Sequence, residues 1–120
     1  MGSAVSHQLV QMSLVGEAID LGPVAVFVAD DNMRYLAVNQ YACDLLGYER
    51  AELLTLSVLD VAVHSEAGEE FEEMLASGFR AGNARLRHKD GSEVEIAYRA
   101  AETVVGLMRL YVSSCWPVAS

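Results

Sequence analysis

Two hairpin signals with a helical stretch between them constrain this chain more than any other feature of its sequence. The first is VAVFVADDNMRYLAV, residues 24–38, where two apolar β-branched runs flank the turn-forming Asp30-Asp31-Asn32. The second is NARLRHKDGSEVEIAYRA, residues 83–100, hinged on Asp90-Gly91, where glycine accepts positive φ without strain. A last apolar strand, LMRLYVSSCW at 107–116, follows a connection containing Val105-Gly106. Hairpins separated by helices cannot build a doubly wound parallel sheet, whose neighbours need crossover connections. The order predicts an α+β domain: an antiparallel sheet with helices packed over one face.

Between the hairpins, VNQYACDLLGYERAELL (38–54) reads as a strand end followed by two short helices. Asn39 can accept from the free backbone donors of the first helical turn, worth about 1 kcal/mol. Tyr41, Ala42, Leu45 and Leu46 supply a buried face, and Gly47 ends the helix as a C-terminal cap. Glu49 acidifies the start of the next helix, which is expected to bury Leu53 and Leu54. Residues 55–63 predict a single helical turn and a connector. Ser65 can cap a longer helix over 66–77, with Phe71, Met74 and Leu75 along one face.

Ahead of the sheet, VSHQLVQMSLVGEAIDL (5–21) has helical periodicity. Val5, Leu9, Met12 and Ile19 form a heptad-like seam with Gly16 in the missing slot, and Val10, Leu14, Ala18 and Leu21 form a second row. Gly22-Pro23 stops the helix. One helix lying on its own domain needs only one such row, so the second predicts a homodimer. Val5, Leu9, Met12 and Ile19 are the expected interface, with the outer face of the last strand (Leu107, Tyr111, Cys115) as partner surface.

Composition narrows the function. A net charge of −9 argues against direct nucleic-acid binding, which needs clustered cations. The row Arg85, Arg87, Lys89 reads as a solvated strand face. No apolar run approaches the roughly 18 residues of a membrane span, and residues 1–21 lack the features of a secretory signal. Cys43 and Cys115 sit far apart without metal-ligand spacing, reading as reduced thiols in a cytoplasmic protein. Mean hydropathy of +0.23 hints at an apolar cavity or subunit interface as well as a core.

The run FVADDNMRYLAVNQYACDLLGYERAELL resembles the first half of a PAS domain, the sensory module of bacterial signalling proteins. VLDVAVHSE resembles the family's lead into its long helix, and RLRHKDGSEVEI its fourth strand, Asp-Gly turn and next strand. The resemblance covers roughly residues 20–114. It implies a five-stranded antiparallel sheet of order 2-1-5-4-3, with helices over a concave face that can enclose a ligand. The expected organisation is a flanking helix at 1–21, a sensory domain at 22–116 and a tail at 117–120. Two departures stand out: Thr55 replaces a common glycine, and SSCWPVAS lacks the family's Asp-Ile-Thr exit. An output domain is expected outside this chain, and Met1-Gly2-Ser3 reads as a cloning remnant.

No cofactor is expected. Haem-binding relatives carry the ligating histidine in the long helix, and residues 66–78 contain none. Photosensory relatives carry a reactive cysteine after the second helix, where this chain has TLSVLDVAV. Cys43 reads as packing, His64 and His88 as structural hydrogen-bonding groups, His7 as exposed, and no metal site is expected. Strand alternation instead points to a binding interior lined by Leu86, Ile96, Tyr98, Met108, Leu110, Val112 and Ser114. Phe71, Met74 and Leu75 approach it from the helix. An apolar small molecule or fatty acid would suit such walls, with Tyr98 and Ser114 as hydrogen-bonding groups; a solid core is the alternative. A pure dimerisation module, and a cone-shaped isomerase-like enzyme using Asp44 or Asp60, are the competing functions. The enzyme needs an acid and a base converging in a pocket, and the inferred inner faces hold almost no acids.

Overall fold

A computed structural model describes residues 2–63 and 76–118, with residues 2–7 as backbone only. The helix expected over 66–77 is therefore almost wholly outside the described residues, as are Ser65, His64, Phe71, Met74, Leu75 and the side chains of Val5 and His7.

The chain runs α1 (Gly2–Asp20), β1 (Ala25–Ala29), β2 (Tyr35–Val38), α2 (Gln40–Leu46), α3 (Arg50–Leu53) and α4 (Val58–Val61), then β3 (Phe79–Arg87), β4 (Glu93–Val105) and β5 (Met108–Pro117). The five strands form one antiparallel sheet of order β2-β1-β5-β4-β3, as expected. α2 packs on β1 and α3 against β2. The core lies between them: Ala25, Phe27, Tyr35, Leu46, Leu53 and Val61 are buried together. The Phe27 and Tyr35 rings pack with centroids 5.2 Å apart.

The helix boundaries follow from local chemistry. Asn39 Oδ1 accepts from Ala42 N at 3.0 Å, capping α2. Gly47 closes α2 at φ 77°, and an added Cβ there would collide with the His88 ring. Glu49 opens α3 through a reciprocal capping box with Glu52, and Ser57 opens α4 through another with Asp60. Leu53 is buried as expected, but Leu54 is not: it falls at the C-cap of α3, after the helix has turned its apolar face inward.

β3 and β4 are each longer than their sequence pattern suggested. Phe79–Gly82 pairs with Tyr98–Ala101, so the glycine at 82 continues a strand rather than breaking one. The turn between them is fastened to the helices. Lys89 N donates to Leu46 O at 2.8 Å, and Lys89 Nζ meets Glu52 at 2.7 Å.

A short segment after α3 reaches both outer strands. At one end Ser57 bridges Arg34, and Tyr35 N donates to Leu56 O at 3.2 Å. At the other end Ala62 bridges Leu86, and Val63 N donates to Arg85 O at 3.0 Å. Residues 56–63 thus strap the β2 edge to the β3 edge.

Candidate functional site

Residues directly opposite each other in an antiparallel ladder share a face, so register decides what lines the concave side. Gly106 and Leu107 form a two-residue turn that pairs Val105 with Met108. Counting back along the hairpin places Cys115 opposite Tyr98, Ser113 opposite Ala100 and Tyr111 opposite Glu102. Because Ile96 and Tyr98 point into the domain, so do Tyr111, Ser113 and Cys115.

This register overturns part of the sequence reading. Leu86, Ile96 and Tyr98 do face inward, with Ile96 buried and the other two packed against the core. Met108, Leu110, Val112 and Ser114 lie on the opposite, convex face, paired with Val105, Thr103, Ala101 and Arg99. Tyr111 and Cys115, expected on the outer surface, are 3% and 1% exposed. Both parities of β5 carry apolar residues, so hydrophobicity alone could not choose between them. The two-residue turn was the signal that could.

The corrected concave face has two halves. Toward β1 and β2 it is dry, formed by Ala25, Phe27, Ile96 and Cys115 under α2 and α3. Burial pushes the Cys115 thiol up to about 12. Tyr35 is raised well above the ordinary phenol range by burial, with Cys115 and then Asp60 adding to it. Cys43 is buried, and its thiol is raised by that burial and partly drawn back by Arg50.

Toward the far end of β4 the same face becomes polar. Arg80 Nε donates to Tyr98 Oη at 3.2 Å. Ala100 and Tyr111 are buried together with Met33 and Tyr98 packed against them. Glu102 is held by Arg109 at 3.0 Å. Sequence reading missed Arg80 and Tyr111: the first lies in a stretch not read as strand, the second was placed on the wrong side.

The acids weighed as catalytic candidates have structural work. Asp60 Oδ2 accepts from Ser57 N at 2.9 Å, and Asp44 Oδ1 accepts from Gln40 Nε2 at 2.9 Å. His88 is half-buried, its Nδ1 accepting from Asp90 N at 3.1 Å.

α1 stands clear of the sheet, with every described side chain from Gln8 to Ala18 exposed. Leu9 and Met12 are 62% and 63% exposed, and Val10 and Leu14 beside them are also in water. Only its C-terminal end, with the half-buried Ile19, is anchored. Asn39 Nδ2 donates to Ile19 O and to Val24 O, and Asn39 Oδ1 accepts from Val26 N. Asp20 Oδ1 accepts from Gln40 N at 2.9 Å and from Arg50 at 2.6 Å. No helix among the described residues is long and apolar enough to cross a membrane.

A family profile described as PAS domain matches residues 23–105. Among solved structures, the chain resembles the PAS domain of a two-component sensor histidine kinase, at 20% identity and TM-score 0.82, covering 92% of this chain and 99% of that one. It resembles the PAS domain of an HTR-like protein from Haloarcula marismortui at 16% identity and TM-score 0.82, covering 98% and 100%. A third is the PAS domain, in complex with ethanol, of a LuxR-family transcriptional regulator from Burkholderia thailandensis, at 17% identity and TM-score 0.69, covering 87% and 96%. No curated protein matches the sequence.

Proposed function

Because the chain belongs to the PAS domain family, we propose that it is a non-catalytic sensory and dimerisation module of a signalling or transcription-regulating protein. The observation that carries this reading is α1. It has no Asp, Glu, Lys or Arg from Gly2 to Gly16, and Leu9, Val10, Met12, Leu14 and Val15 stand in water. Covering such a surface contributes roughly 25 cal/mol per Å², a gain that a second copy of the chain can supply. Light scattering should give a dimer for the whole chain and a monomer after deletion of residues 1–20. A monomeric whole chain, or a deleted chain that stays dimeric, overturns the reading.

The sensed ligand belongs on the concave face between β3, β4 and β5. With Met108, Leu110 and Val112 turned away, the wall mixes Ile96 and Leu86 with Tyr98, Tyr111 and Arg80. That lining favours a small molecule with a polar group over the fatty-acid chain suggested by sequence. The regulator domain solved with ethanol supports the same size class. Mass spectrometry of small molecules released from purified, denatured protein tests it, and a medium-chain fatty acid as the released species refutes it. The protein is proposed to act in the cytoplasm without haem, flavin or metal, and to signal to an output domain. A visible absorption band in the purified protein contradicts the absence of haem and flavin.

A further inference from the structure

Two stretches of backbone edge stand open in this sheet. Beyond Tyr111 and Ala101 the β4–β5 hairpin runs on alone as a two-stranded ribbon, Thr103–Leu110, turned at Gly106-Leu107. Its tip is apolar and exposed, and no charge lies between Thr103 and Met108 to select a partner. The other open stretch lies in β3, at the rim of the sheet, and its surroundings are more particular.

Two hydrogen bonds fix which backbone groups of β3 look outward, because such groups alternate sides along a strand. Glu102 N donates to Gly78 O at 3.0 Å, so the even positions after residue 78 bond toward β4. Val63 N donates to Arg85 O at 3.0 Å from the opposite side, so the odd positions turn away from the sheet. Phe79 is already served: Ser77 Oγ donates to its carbonyl at 2.8 Å and accepts from its N–H at 3.4 Å. That leaves Ala81 and Asn83, whose outward N–H and C=O groups have no bonding partner among the described residues. Ala81, Gly82 and Asn83 are all exposed. Edge strands usually discourage company with a proline, a lysine or a bulge. Ala81-Gly82-Asn83-Ala84 has none of these and pairs with β4 in unbroken register. Beside it lies a groove of about 320 Å³ lined by Val63, Asn83, Ala84, Arg85 and Glu95.

We propose that this window is a docking edge for a short extended segment of a partner protein, carrying an acidic residue and added to β3 as a further strand. Charge argues for the acid. Between Arg80 and Glu95 the chain carries four cations against three carboxylates, while the whole carries −9. Most of the surface therefore repels an acidic segment, and this rim does not. In the ladder, a carboxylate on the residue opposite Asn83 is the diagonal neighbour of Arg85 on the same face. Arg85 is mostly exposed and its 3.5 Å contact with Glu93 is a loose surface pair, so its guanidinium can turn to that carboxylate.

A second copy of β3 does not fit the window. With a two-fold axis at Gly82, Ala81 and Asn83 pair fully, but the second copy's Phe79 lands opposite Arg85, where Val63 already sits. With the axis at Ala81, Asn83 faces Phe79, whose groups Ser77 holds. A short unrelated segment meets neither obstacle, since it can leave the edge after the residue opposite Asn83. The window is also shorter than the six or seven residues of a stacking segment, so it admits one strand without templating a fibril. None of this depends on the reading of α1.

The probe is the capped peptide Thr-Val-Thr-Glu-Thr-Val-Thr, titrated to millimolar concentration into the isotope-labelled whole chain and followed by amide nuclear magnetic resonance. Shifts should centre on Ala81, Gly82 and Asn83. Lysine in place of the glutamate should weaken binding. Arg85→Glu should weaken the glutamate peptide by about threefold, the worth of one exposed cross-strand charge pair. Methylating the backbone nitrogens of the glutamate and both valines removes the bonding N–H groups and should abolish binding. Ala81→Pro deletes an outward N–H without touching the β4 ladder, and should abolish binding with unchanged far-ultraviolet circular dichroism. Asn83→Pro makes the same test if the first variant misfolds. An absence of shifts at Ala81 and Asn83, or undiminished binding of the methylated peptide, overturns the strand addition. Equal binding of the lysine peptide overturns the acidic occupant.

Discussion

The junction around Asn39 and the tip of the β4–β5 ribbon handle water in opposite ways. At the junction a polar side chain is 6% exposed, and its amide satisfies two backbone N–H groups and two carbonyls. One residue thereby joins α1, the entry to β1, and α2. At the tip, valines, a leucine and a methionine project into solvent, each more than half exposed. The first region holds the fold together, because any loss there strands buried backbone groups. The second buries little of its apolar surface in the monomer. Residues that look important by polarity or hydrophobicity alone would be ranked the wrong way round.

The contrast is sharpest for Asn39→Ala. Sequence suggested a cap worth about 1 kcal/mol, but removal of the amide leaves four backbone partners unpaired, so a loss of about 3 kcal/mol or more is expected in chemical denaturation. A loss near 1 kcal/mol would mean that water replaces the amide and that the junction is weaker than its geometry. Gly47→Ala comes next. It combines a left-handed φ of 77° with a collision against His88, and should cost about 2 kcal/mol by the same measurement.

The dry half of the concave face has a pH signature of its own. In the native chain Cys115 titrates at about 12 instead of near 9, and Cys43 and Tyr35 are also raised. Between those values the unfolded chain has lost the thiol proton and the native one has not. Stability should therefore be fully present below about pH 9 and fall as pH rises toward about 12. A flat profile over that range would mean that water reaches Cys115. The smallest effect belongs to the tip: at protein concentrations low enough to keep it monomeric, Leu107→Ser should change stability by no more than about 0.5 kcal/mol. A larger loss would show that the ribbon supports the monomer after all.

The legible part of this fold is the part written in local signals. Asn39 as a cap, Gly47 and the acidic start at Glu49 act within one or two turns and did what their chemistry implies, whereas the bonds of Asn39 to Ile19, Val24 and Val26 span the fold and had no local signal. The Asp90-Gly91 turn and the strand order were also readable, the latter through resemblance to a known family. The site was legible only by halves. Leu86, Ile96 and Tyr98 alternate with charged neighbours, which fixes their parity. On β5 the alternation fails, since Met108, Leu110 and Val112 are as apolar as Tyr111 and Cys115. There the facing is decided by a turn and its ladder, an effect spread over twenty residues and not visible in any one of them. The convex face of β5 looks like core in the sequence because Met108, Leu110 and Val112 are apolar, although the ladder turns them outward.

The strap formed by residues 56–63 bears on a different hazard. A sheet with two bare rims is a template onto which further strands can stack, and a chain that is 52% hydrophobic carries many segments able to do so. Here one rim donates to Leu56 and pairs with Ser57, while the other is met by Ala62 and Val63. A single eight-residue stretch thus hinders strand-by-strand growth at both rims. The helix and the hairpin tip can then keep apolar side chains in water while both outer rims of the sheet resist amyloid-like stacking, the backbone edges of the short ribbon being the exception.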